Sequence, residues 1–166
     1  MSEEGLRLYS ELVTASDRPR LIASAVSSHR IPPDELPELI WFVWVKTDEP
    51  TRTLGEAAWM SIFKTAGFFS WPATRERPLA PMTIYRDATA DRLRHMYWAE
   101  NLEVARTLGR RHVSHAPAAV YSATIPPEAV LAFLERRGEG TTVVVDSTQL
   151  TYITLVEHLN QPWPRP

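Results

Sequence analysis

Apolar positions recur at helical spacing through roughly the first eighty residues. From about residue 82 they alternate or gather in short β-branched runs, so the pattern predicts a helical half followed by a strand-rich half. In the first half, Ser16 or Asp17 can cap a helix running to about Ser27. Asp34, after Pro32-Pro33, opens a second helix with Leu36, Ile40, Trp41, Trp44 and Val45 on one face. A third helix, from about Leu54 to Ala66, turns Ala57, Trp59, Met60, Ile62 and Phe63 inward and stops at Gly67. The proline- and aromatic-rich segment Phe68 to Pro81 reads as an extended connection packed over the core.

In the second half, strands are predicted at about 82–86, 95–99, 118–125, 130–134, 141–145 and 152–157, with a helix over about 101–111 capped by Asn101. Pro126-Pro127-Glu128 forms a single turn feeding the next strand, and Arg136-Arg137-Gly138 forms a hairpin. The fold class is therefore α+β. At 166 residues the chain suits one domain, divided into a helical part (1–80), a β-rich part (81–157) and a tail (158–166).

Composition narrows the function classes. With 44% apolar and 23% charged residues the chain is expected to be globular and soluble, not disordered, and a net charge of −2 provides no overall basic field for nucleic acid. No cysteine is present, which removes disulfides, thiolate catalysis and cysteine-type zinc sites, and a cytoplasmic location is the expectation. Glu3, Glu4, Glu11 and Asp17 speak against a secretory leader. The longest apolar stretch, Leu39 to Val45, is far shorter than the roughly 20 residues a membrane helix needs.

Two features carry candidate chemistry. The strand Met82-Thr83-Ile84-Tyr85-Arg86 ends in an arginine whose planar fork of donors can grip a pyrophosphate. Gly138-Glu139-Gly140 puts a carboxylate in a glycine turn before the strand Thr141–Val145, where it can hold a ribose hydroxyl or stabilise a developing sugar cation. Each also has a plain structural reading: an arginine cementing strand ends, and a solvated turn glutamate. His112 and His115 are three apart, but Ser114 and Pro117 end the helix that would align them, and no metal site is expected. Arg106, Arg110 and Arg111 read first as cations complementing a helix C-terminus.

Ile84-Tyr85-Arg86, Met96-Tyr97-Trp98-Ala99 leading into the helix Leu102–Arg106, the run Val120 to Leu131, and Arg137-Gly138-Glu139 before a valine strand together resemble the small bacterial and phage-borne proteins with the mono-ADP-ribosyltransferase fold, over about residues 80–157. The resemblance implies helices packed on a split, mostly antiparallel β core, with NAD as substrate and a protein target. It assigns Tyr85 and Arg86 to the dinucleotide phosphates, Tyr97 and Trp98 to the walls of the nicotinamide pocket, and Glu139 to the ribose.

Two departures bear on activity. The small hydroxyls of the family's second motif fall on Tyr97 and Ala99, and Thr141 stands where the catalytic glutamate belongs. A threonine cannot supply the negative charge that stabilises an oxocarbenium-like ribose. Either the loop is shifted by two residues and Glu139 serves alone, or transferase chemistry is lost and a catalytically inactive binding module remains, acting on a protein partner.

Overall fold

The computed structural model describes residues 1–112, 119–136, 138 and 140–159, the side chains at 91, 109–112 and 136 excepted. Among the described residues there are six α-helices and seven strands. They are α1 (Glu3–Thr14), α2 (Arg18–Ser27), α3 (Leu36–Lys46), α4 (Pro50–Leu54), α5 (Glu56–Ala66), β1 (Phe69–Trp71), β2 (Met82–Ala88), β3 (Tyr97–Ala99), α6 (Leu102–His112), β4 (Ala119–Ile125), β5 (Val130–Arg136), β6 (Gly140–Val145) and β7 (Ile153–His158). The class is α+β, and the pairings are mostly antiparallel. No helix among the described residues is long and apolar enough to cross a membrane.

The chain packs as two compact units, Met1–Glu76 with Leu131–Leu134, and Arg77–Val130 with Glu135–Pro166. In the first, Ser2 caps α1 by accepting the Gly5 N–H, and Glu3 and Glu4 stand in the first turn, where acids complement the helix dipole. Asp17 caps α2 as the sequence predicts, and Gly67 ends α5. Trp44, Trp59 and Phe63 are buried, with Trp44 edge-on to Trp59 at 5.1 Å and to Phe63 at 5.4 Å. Trp41, expected beside them, is only half-buried, and Phe42 goes into the core instead. The supposed connection after Gly67 holds a strand: Phe69 is buried, and β1 runs parallel to residues 132–134 of β5.

The second unit orders its strands β6-β3-β2-β4-β7. The β2–β4 pair is in register from Met82 opposite Ile125 to Ala88 opposite Ala119. Helix α6 starts where Asn101 Oδ1 accepts the Val104 N–H at 2.9 Å. It buries Ala105 against Ala99 and Val120, with Tyr85 packed on that cluster. Arg106 reaches from α6 to the Glu157 carboxylate on β7 with two hydrogen bonds, of 2.6 and 2.9 Å, and also pairs with Glu103.

Candidate anion site around Arg86

Neighbouring side chains on a strand point to opposite faces, and β2 uses this to separate Tyr85 from Arg86. Tyr85 goes to the α6 side, while Arg86, opposite Tyr121 on β4, goes to the other. There the arginine is only 9% exposed. Its Nη1 donates to the Tyr97 carbonyl at 2.6 Å, and its guanidinium carbon lies 4.3 Å from the centre of the Tyr97 ring. Its Nε is buried without a hydrogen-bond partner. Among the described residues no carboxylate forms an ion pair with it. A cation taken out of water is ordinarily paired or fully hydrogen-bonded, because desolvation of the charge costs several kcal/mol otherwise.

His95 completes the cluster, edge-on to the Tyr97 ring at 4.4 Å. Its Nδ1 accepts the Met96 N–H at 3.0 Å, so the neutral ring carries its proton on Nε2. Burial, reinforced by the neighbouring charges of Arg86 and Arg92, pushes the imidazole pKa down from 6.5 to about 4. The ring is therefore neutral near neutral pH, and the trio Arg86, Tyr97 and His95 holds a single formal charge. The sequence motifs leave His95 without a role. It stands two residues before Tyr97, and the chain leading into β3 brings the two rings together.

Of the residues assigned from sequence, Arg86 and Tyr97 meet. Trp98 is 2% exposed and donates its indole N–H to the His95 carbonyl at 2.8 Å, fixing the chain as it enters β3. Tyr85 is packed with the α6 cluster. Glu139 lies outside the described residues, as do Arg137, His115 and the side chains of Arg110, Arg111 and His112. Thr141 is half-buried and its carbonyl accepts the Glu100 N–H at 3.2 Å. Arg106, grouped from sequence with a basic cluster, is engaged by Glu157 and Glu103. Among the described residues no three histidines or acids come together as metal ligands would. Comparisons with family models, curated proteins and solved structures find no match for the chain.

Proposed function

We propose that the chain binds NAD in the manner of a mono-ADP-ribosyltransferase or NAD glycohydrolase, with Arg86 gripping the pyrophosphate. The observation that carries this reading is the guanidinium itself: 9% exposed, held over Tyr97, with a buried Nε that has no partner. An anionic ligand resolves that imbalance by supplying oxygens to a charge already desolvated, where each such bond is stronger than in water. In this reading Tyr97, whose ring faces the cation, also walls the nicotinamide.

In this reading Glu139 is the working acid. As nicotinamide leaves with the bonding electron pair of its bond to the ribose, positive charge develops on the sugar, and a carboxylate beside it lowers the barrier. Water, or a nucleophile of a target protein, then adds to the same ribose carbon and loses a proton. Thr141, standing where the resemblance puts the catalytic glutamate, favours the other reading, a catalytically inactive module that keeps the nucleotide site and acts on a protein partner. Calorimetry with NAD, alongside chromatographic detection of free nicotinamide, tests both. Binding with release supports the enzyme, binding without release supports the module, and no binding overturns the NAD reading altogether.

A further inference from the structure

We propose that His95 is a positioning residue of the Arg86 site: its imidazole holds the Tyr97 ring in the orientation that carries the guanidinium. This role rests on the reading of Arg86 as an anion clamp and falls to a side chain that the sequence motifs pass over. The Arg86 guanidinium carbon lies 4.3 Å from the centre of the Tyr97 ring, and the His95 ring lies 4.4 Å from the same centre, edge-on and inclined at 61°. A cation is drawn to the face of an aromatic ring, so the contact with Arg86 depends on which way that face turns. The backbone of β3 fixes where the ring begins, but the last torsion of a tyrosine is broad and leaves the face unset. A second ring packed edge-on does set it, because this arrangement matches the positive edge of one ring to the negative face of the other.

His95 is able to hold a neighbour because it is itself held. Its Nδ1 accepts the Met96 N–H at 3.0 Å, and its carbonyl accepts the Trp98 indole N–H at 2.8 Å. Met96 is fully buried and Trp98 is 2% exposed, so both anchors belong to the core. Contacts therefore run from the core to the imidazole, from there to the Tyr97 ring, and from the ring to the cation. The Tyr97 carbonyl, accepting from Nη1 at 2.6 Å, holds one end of the guanidinium fork, and the ring sets the plane of the rest. Without the imidazole the carbonyl bond stays, but the ring is free to turn and the fork loses the face it lies over. An anion must then order the cation as it binds, and that ordering lowers affinity.

The test is calorimetry on the full chain with ADP-ribose and, separately, inorganic pyrophosphate. His95→Asn keeps an acceptor for the Met96 N–H and removes the ring, and is expected to weaken both ligands about tenfold, the scale of a desolvated cation–ring contact. His95→Phe removes that acceptor but keeps a ring beside Tyr97, and should bind within about twofold of the wild type. A role confined to the Met96 hydrogen bond reverses this order, with the Asn variant near the wild type and the Phe variant weak. Tyr97→Leu keeps the carbonyl that holds Nη1 and removes the ring, so on that background His95→Asn should add no further loss. If Arg86→Ala abolishes binding while His95→Asn binds as the wild type does, or while the His95 and Tyr97 losses simply add, the role of His95 is overturned and the Arg86 reading stands. If the wild type binds neither probe, the Arg86 reading fails and the role of His95 fails with it.

Discussion

The Arg86 guanidinium lies 4.3 Å from the centre of the Tyr97 ring and donates Nη1–H to the backbone carbonyl of that same residue at 2.6 Å. One residue therefore fixes the cation twice, through its π face and its main chain, without neutralising it. Such contacts orient a charge and leave its field available, which is what recognition of an anion requires. An arginine serving only to join strands would be expected to meet a carboxylate, as Arg106 meets Glu157.

That difference predicts a separation of stability from binding at Arg86. Arg86→Met retains much of the side chain's length and removes a buried charge. Loss of the ring contact, about 2 kcal/mol when desolvated, is offset by the relief of desolvation. Urea unfolding should show a midpoint equal to or above that of the wild type, while calorimetry shows no NAD binding. A large loss of stability with NAD affinity retained would sink the anion-clamp reading.

His95 makes stability depend on pH in a defined direction. Its pKa falls from 6.5 to about 4 on folding, so between these values the unfolded chain binds the proton more readily. The contribution is fully present above pH 6.5, is lost as pH falls towards about 4, and changes no further below that. His95→Asn can still accept the Met96 N–H through its side-chain oxygen but cannot titrate. Unfolding measured at several pH values across this window should show a smaller loss of stability on acidification in the variant. Equal losses in both proteins would assign the acid sensitivity to other groups.

The second unit is well legible in the sequence. Short β-branched runs punctuated by Asn101, Pro126-Pro127 and Gly138 locate β2 to β7 and α6 within a few residues, because each element carries its own local signal. Helix α1 also carries one, Ser2 followed by Glu3 and Glu4, but only Leu8, Leu12 and Gly5 of its residues are buried and the apolar stripe is thin. Strand β1 has no such signal: three residues long, it exists through its pairing with residues 132–134, more than sixty positions away. The candidate site divides in the same way. Arg86 and Tyr97 are singled out by the resemblance, whereas His95 joins them only because the chain before β3 brings its ring edge-on to that of Tyr97.

Glycines around the last hairpin should respond unequally to alanine. Gly138 has φ +78° with open space where a Cβ would stand, so Gly138→Ala should cost about 1–2 kcal/mol, the strain of a left-handed backbone. Gly140 has φ +87°, and its Cβ would come within 2.6 Å of Val104 Cγ2 on α6. Gly140→Ala adds that overlap to the same strain and should lower the denaturation midpoint more. Equal midpoints in the two variants would mean that α6 yields to the added methyl without cost.

Under the proposed function, Glu139 and Thr141 decide between the enzyme and the module. If Glu139 stabilises the ribosyl cation, Glu139→Gln keeps shape and hydrogen bonding but removes the charge, so NAD affinity should persist while nicotinamide release falls by about a hundredfold or more. Thr141→Glu, which installs a carboxylate where the resemblance puts the catalytic glutamate, distinguishes the alternatives from the other side. Thr141 is half-buried within β6 and its carbonyl accepts the Glu100 N–H, so the backbone at this position is already fixed. In an active wild type the added acid should change turnover little, because Glu139 already serves. In a degenerate chain, turnover should appear only with Thr141→Glu, and Glu139→Gln should have no effect on a rate already at zero. Nicotinamide release measured at high protein concentration for all three proteins separates these patterns, and absence of release from all three leaves only the binding role.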